Sequence, residues 1–264
     1  MKTAIIGVGN MGGAILQSLL HTRVFSRNDL IACDTDQDKL KAFDCQITSD
    51  LRQAVNEADI ILLAVKPQVL AKLLQPLADT QIEGKLWISI AAGVSSMTIK
   101  TSLKDMSAKV VRAMPNTPAR IGKGMTGWYA SPEVTVDERA MVQTMLASFG
   151  KQIRFEQEAD IDRVTAVSGS GPAYFFYLVE ALAKAGADLG LDLQTSYELA
   201  RQTCIGAASL LAESALDVSE LRRQVTSKGG TTAAALARLD DLGCQEHCAA
   251  AVQAAYEQAR LLVR

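Results

Sequence analysis

No stretch constrains this chain more than Gly7-Val8-Gly9-Asn10-Met11-Gly12-Gly13, because of what stands on either side of it. Lys2 to Val8 (KTAIIGV) is a short apolar run ending in glycines, and Met11 to Leu20 carries apolar residues at helical spacing. The chain therefore opens as strand, tight turn, helix. Each glycine has a task in such a turn: Gly7 permits the tight bend, Gly9 lets backbone approach a pyrophosphate, and Gly12, with Gly13 beside it, lets helix and strand pack closely. A GxGxxG run alone is weak. Placed directly after the first strand, it favours a nicotinamide dinucleotide over a purely structural glycine turn, through Gly7, Val8, Gly9, Asn10, Met11 and Gly12.

Past the first helix the strand and helix alternation repeats. Strands are predicted at Leu30 to Cys33, Asp59 to Val65, Leu86 to Ile90 and Lys109 to Met114, with helices at Asp36 to Phe43, Gln68 to Ala78 and Ser95 to Leu103 between them. That order predicts an α/β chain with an N-terminal Rossmann-like, doubly wound parallel sheet, right-handed connections and a ligand crevice at the carboxyl ends of the strands. After Ser131 the texture changes. A helix is expected over Glu138 to Phe149 and a last strand over Lys151 to Phe155. From Ala159 onward helices dominate, at Asp160 to Val167, Pro172 to Leu189, Thr195 to Ser214, Val218 to Val225 and Gln245 to Leu262. The expected division is 1–158 for dinucleotide binding and 159–264 for an all-α domain.

Several late helices, such as Cys204 to Leu211 and Ala249 to Ala255, are apolar or small over much of their circumference. A helical domain of roughly a hundred residues has little interior in which to hide them, which predicts an obligate homodimer that buries them between subunits.

Further cofactor contacts are expected at the strand ends. Asp34 closes the second strand about twenty residues past the glycines, where a carboxylate accepts hydrogen bonds from ribose hydroxyls and repels a ribose phosphate. With Asp36 and Asp38 beside it, it also reads as a helix N-terminal aspartate. Lys39 and Lys41 could partly offset the repulsion, so either NADPH or NADH suits the sequence. Ala64-Val65-Lys66-Pro67, Ala91-Ala92-Gly93 and Met114-Pro115-Asn116-Thr117-Pro118 all follow strands. Lys66 and Asn116 are their polar candidates for the ribose and carboxamide near the nicotinamide, against ordinary turn chemistry. Ser168-Gly169-Ser170-Gly171-Pro172 initiates a long helix, yet its second glycine-serine pair exceeds what a cap needs and suits backbone pressed against the cofactor ring.

Charge and cysteine usage narrow the partners. The formal net charge is −2, with Lys and Arg scattered among Asp and Glu, so there is no footprint for nucleic acid or an anionic membrane. A strand pattern begins at once, with no signal-peptide arrangement and no membrane-length apolar run, which predicts a cytoplasmic protein. Cys33, Cys45, Cys204, Cys244 and Cys248 are an odd number without a CxxC pair, which suits reduced thiols. Cys244, His247 and Cys248 lack a second ligand pair, so no metal is expected.

Against this helical second half, Val225 to Leu236 (VTSKGGTTAAAL) stands out. Ser227, Gly229, Gly230, Thr231 and Thr232 offer hydroxyls and unshielded amides just ahead of the apolar run Ala233 to Leu239, where a helix N-terminus attracts a small carboxylate. The catalytic inventory is otherwise short. His21 and His247 are the only histidines and neither adjoins a glycine-rich loop, which disfavours a histidine base of the lactate dehydrogenase type. The β-hydroxyacid dehydrogenases place a lysine four residues after the last glycine of a similar SGxG segment, and here that position is Phe175. Hydride delivery to an imine needs no strong protein base and fits better.

GVGNMG, AVKP, SIAAGV, RAMPNTPA, VSGSGPAY and VTSKGGTTAAAL, in this order and spacing, resemble pyrroline-5-carboxylate reductase over nearly the whole chain. The last motif is the most specific, since dinucleotide folds in general lack it. The resemblance implies reduction of 1-pyrroline-5-carboxylate to L-proline with NADPH or NADH, and an intertwined dimer that can assemble into larger rings. It also implies that amides around Gly230 and Thr231 hold the carboxylate with Ser227 assisting. Thr232 would bond the ring nitrogen as the catalytic residue, and Val225 would border the ring. Two positions depart from the family pattern: Lys228 replaces a common proline, and Asp34 a small hydroxyl residue. A related imine or 2-oxoacid reductase, or a non-catalytic redox regulator, are the competing readings.

Overall fold

The first half of the chain makes its strands from branched and other apolar residues: β1 (Thr3–Ile6), β2 (Leu30–Cys33), β4 (Ile60–Leu63) and β5 (Leu86–Ser89) are buried along their whole length. A strand buried on both faces is what a parallel sheet covered by helices requires. The computed structural model describes residues 1–78, 80 and 82–262, so the last two residues of the expected second domain lie outside the described residues. The remaining strands are β3 (Gln46–Thr48), β6 (Lys109–Met114), β7 (Gly124–Ala130) and β8 (Gly150–Arg154). The helices between them are α1 (Asn10–Thr22), α2 (Gln37–Leu40), α3 (Leu51–Glu57), α4 (Pro67–Leu74), α5 (Ser96–Leu103) and α6 (Val136–Ala147).

One eight-stranded sheet results, in the order β3-β2-β1-β4-β5-β6-β7-β8. Thr3 pairs with Leu30 on one side and Ile60 on the other, so the strand order turns back at β1 and β4. That reversal opens a crevice at the carboxyl ends of these strands. Alternation along each strand divides the interior into two layers. Ile5, Leu62, Ile88 and Val111 lie in one apolar cluster, and Ile6, Ile61, Trp87 and Val110 in the other.

The sheet is parallel except where β7 runs antiparallel to β6, and β7 and β3 were not anticipated from the sequence. β3 is a short, mostly exposed edge strand. β7 (GMTGWYA) carries glycines that read as turn signals but serve packing: a Cβ at Gly127 would meet the Val164 methyls at 2.7 Å.

The chain divides into two compact units, 1–170 with 255–264, and 171–254. The first also holds α7 (Asp160–Val164), which runs into a π-helical turn, Thr165–Gly169. The second holds α8 (Gly171–Asp188), α9 (Leu193–Glu213), α10 (Val218–Gln224), α11 (Thr231–Asp241) and most of α12 (Cys244–Leu261). Helices α8 and α9 approach closely at Gly186, where a Cβ would meet Ser196 Oγ at 2.8 Å. Within this unit only Gly171, Ala183, Ser196 and Ala200 are buried. Phe175, Phe176, Tyr177, Leu199, Ile205 and Leu210 are exposed in the single chain, an apolar surface of the kind a subunit partner covers. Among the described residues no helix is long and apolar enough to cross a membrane.

Candidate active site

The glycine loop between β1 and α1 sits at the strand reversal. Gly7 has φ of +91° and is wedged against β4, since a Cβ there would meet Ala64 O at 2.9 Å. At Gly12 a Cβ would run into the Gly7 carbonyl oxygen and lie 2.8 Å from Ala64 Cβ, so the first helix needs glycine to lie this close. Gly9 differs. It caps α1 in an extended conformation without any side-chain cap, and a Cβ on it would meet nothing within 4 Å. An uncapped helix start with open space at its capping glycine is a cradle for a diphosphate, so the residues present fit a dinucleotide.

Asn10 and Met11 open α1, and Met11 lines a crevice of about 240 Å³ with Ala64, Val65, Lys66 and Pro67 from the end of β4, Ala91 and Ala92 after β5, and Pro115 after β6. Three of the predicted strand-end segments thus meet in one place. Lys66 is exposed there. Gly93 follows in the same turn after β5.

Asp34 anchors the adjacent edge. Its Oδ2 accepts the Val8 N–H at 2.9 Å and its Oδ1 the Asp36 N–H at 3.0 Å, so the glycine loop and the end of β2 share one carboxylate. Asp36 caps α2 by accepting the amides of Asp38 and Lys39. Burial, then the carboxylates of Asp34 and Asp50, push the neighbouring Cys33 thiol up to about 11.

Asn116 and Ser168 come together, as both were expected near the cofactor. The Asn116 amide nitrogen donates to Ser168 O and Oγ at 3.3 Å, and its oxygen accepts the Met125 N–H at 2.9 Å. Both ends of the amide are therefore engaged within the protein. Thr117 opens a 3-10 turn after Asn116. Ser168 and Gly169 lie in the π-helical turn, closed by the Ser170 N–H on Thr165 O, and a Cβ at Gly169 would meet Met114 Cε at 2.7 Å. Single π-turns inside helices recur at functional sites.

One cluster escaped the sequence reading. Arg112, only 4 % exposed on β6, donates to Glu158 Oε1 at 3.2 Å and to Asp162 Oδ1 at 2.8 Å. Glu158 also accepts the Ser96 N–H and Oγ–H, each at 2.6 Å. The cluster ties the start of α5, the strand leading to Asn116, and the helix leading to Ser168. The signal was present in KVVRAM, where a cation inside a buried strand must find anions.

In the second unit the loop from Val225 to Gly230 links α10 to α11. Val225 is exposed at the end of α10, Gly229 takes φ of +74°, and the Gly230 N–H donates to Ser227 O at 3.0 Å. Gly230 caps α11 with no side-chain bond, and a Cβ on it would displace the Ser227 hydroxyl from its present place against the helix start. The first helical bond runs from Ala234 N to Gly230 O, which leaves the amides of Thr231, Thr232 and Ala233 without intrahelical acceptors. Thr232 is half-buried and Thr231 exposed.

His21 lies in the last turn of α1, at the end opposite the glycine loop, and His247 Nδ1 donates to Gly243 O at 2.7 Å. Phe175 is exposed on α8. All five cysteines are free, and among the described residues no group of three His, Cys, Asp or Glu could hold a metal ion.

Residues 158–262 match the family described as pyrroline-5-carboxylate reductase dimerisation, and residues 2–93 the family described as NADP oxidoreductase, coenzyme F420-dependent. A pyrroline-5-carboxylate reductase of Haemophilus influenzae is 39 % identical over 90 % of this chain and 88 % of its own length. Among solved structures, that of a pyrroline-5-carboxylate reductase from Coxiella burnetii superposes with a TM-score of 0.90 at 35 % identity, covering 100 % of this chain and 98 % of the other. A Plasmodium falciparum pyrroline carboxylate reductase solved with NADP bound gives 0.87 at 28 % identity, with coverage of 100 % and 98 %.

Proposed function

The chain belongs to the pyrroline-5-carboxylate reductase family, and we propose that it reduces 1-pyrroline-5-carboxylate to L-proline, the last step of proline biosynthesis. In this reaction the C=N bond of the ring is reduced: a hydride adds to the ring carbon, a proton ends on the ring nitrogen, and NAD(P)H becomes NAD(P)⁺. When bound, the dinucleotide supplies the hydride. The protein's residues hold and orient. Gly7 to Gly12 cradle the diphosphate at the start of α1, Asp34 and Asp36 border the adenosine ribose, and Ala64 to Pro67 with Ala91 to Gly93 flank the rest of the cofactor. Asn116, with Thr117 after it, positions Ser168 and Gly169 against the cofactor ring.

The single observation that carries the substrate assignment is the uncapped start of α11, whose amides attract a carboxylate. In this reading the amides of Thr231 and Thr232 hold the carboxylate and Ser227 assists. Gly229 supplies the turn, Gly230 leaves room for Ser227, and Val225 borders the ring. The Thr232 hydroxyl bonds the ring nitrogen, where the proton must finish. Residues 1–158 would then serve the cofactor, and 159–264 the substrate and a second copy of the chain. Its homo-oligomer is a dimer in the cytoplasm, which can assemble further into a ring.

Kinetics with 1-pyrroline, which lacks the carboxylate, test the site. We expect kcat/KM at least about a hundredfold below that for 1-pyrroline-5-carboxylate, given the worth of charge-assisted hydrogen bonds. Equal values for the two imines would contradict the assignment.

A further inference from the structure

We infer that this chain disfavours a phosphate on the adenosine ribose and binds NADH in preference to NADPH. The inference rests on the dinucleotide reading above and concerns the edge beside β2. A ribose phosphate is accommodated where a cation is free to meet it, and the sequence offers Lys39 and Lys41 for that task. Neither is free. Lys39 Nζ lies 3.3 Å from Asp36 Oδ2, and Lys41 Nζ lies 2.7 Å from Asp38 Oδ1. Arg27, ahead of β2, is paired with Asp44.

The carboxylate that would face the ribose is held in place. Asp34 accepts from both Val8 and Asp36 backbone amides, so it cannot swing away from an incoming phosphate without breaking two bonds. Those bonds also keep it directed at the glycine loop, where each oxygen retains lone pairs for a ribose hydroxyl. Asp50 caps α3 through the amides of Arg52 and Gln53, and it stands near enough to this edge to act on Cys33 together with Asp34. The edge therefore carries the carboxylates of Asp34, Asp36 and Asp38, and the two lysines nearest to them are each paired with one of these carboxylates. Like charges brought together without a counter-ion discriminate strongly between partners.

Calorimetric titration with NAD⁺ and NADP⁺ tests this without turnover. The intact protein should bind NAD⁺ at least about tenfold tighter than NADP⁺, and the ratio should narrow as salt screens the repulsion. Asp34→Ser should bring the two affinities to within roughly threefold by removing the facing charge. Asp36→Asn keeps the α2 cap, releases Lys39 and should narrow the ratio independently. NADP⁺ bound as tightly as NAD⁺ by the intact protein would overturn the preference alone, as would an unchanged ratio in both folded variants. Binding of neither dinucleotide would overturn the preference together with the dinucleotide reading beneath it.

Discussion

Gly9 and Gly12 stand three residues apart in one motif, and the structure assigns them opposite consequences for the same added methyl. At Gly12 the new Cβ would run into the Gly7 carbonyl oxygen and sit 2.8 Å from Ala64 Cβ, both parts of packed structure. Overpacking against backbone outweighs the gain of about 1 kcal/mol that alanine brings to a helix, so Gly12→Ala should lose about 3 kcal/mol. For a chain of this size that lowers Tm by roughly 6 to 12 °C.

At Gly9 the backbone has φ of −70° and ψ of −159°, which alanine adopts freely, and the methyl would meet nothing within 4 Å. Reduced freedom in the unfolded chain and the weaker capping of alanine oppose each other, leaving a net change within about 1 kcal/mol. The open space is the space a diphosphate needs. Gly9→Ala should therefore keep Tm and lose at least about tenfold in dinucleotide affinity, or 1.4 kcal/mol. Thermal unfolding and calorimetric titration on the two variants decide it. Wild-type affinity in Gly9→Ala would refute the cradle, and wild-type stability in Gly12→Ala would refute the packing argument.

Other expected outcomes concern separate parts of the molecule. Arg112→Met leaves Glu158 and Asp162 without their shared cation in a largely buried site and should cost about 3 kcal/mol in urea unfolding, with Arg112→Lys recovering only part because an ammonium lacks the fork. An Arg112→Met protein as stable as the parent would remove the cluster as a structural tie. Thr232→Ala should lower kcat by about tenfold or more while leaving dinucleotide affinity unchanged, and unaltered steady-state kinetics would exclude Thr232 from proton handling. Burial first, then Asp34 and Asp50, raise the Cys33 thiol to about 11 in the folded chain, so folding retains its proton. That stabilisation is complete below the unfolded thiol's pKa and fades toward pH 11, by roughly 2 to 3 kcal/mol in total. Cys33→Ala should be the less alkali-sensitive protein in stability measured across this window, and identical slopes would contradict the assignment.

How far the sequence discloses this molecule depends on which interaction decides each feature. Strands such as IILL and LWIS are legible because burial on both faces demands unbroken apolar runs. β7 is not, since its glycines answer to Val164 and Phe149, contacts that only the folded chain defines. The glycine loop and the polar loop before α11 were readable because backbone geometry restricts which residues can stand there. Asn116 shows the limit: its type suggests a ligand contact, and only the folded chain shows that its amide also joins Ser168 to Met125. The same holds for Lys39 and Lys41, whose pairing with Asp36 and Asp38 appears only in the folded chain. The exposed apolar helices of the second unit were anticipated by arithmetic alone, because a small domain cannot bury so many two-sided helices.

The most direct test of the account is the stoichiometry of the reaction itself. Purified protein supplied with 1-pyrroline-5-carboxylate and NADH should consume equal amounts of both and release the same amount of L-proline, identified by chiral chromatography. Absence of proline with either NADH or NADPH, from a protein that is folded and binds the dinucleotide, would contradict the assigned function.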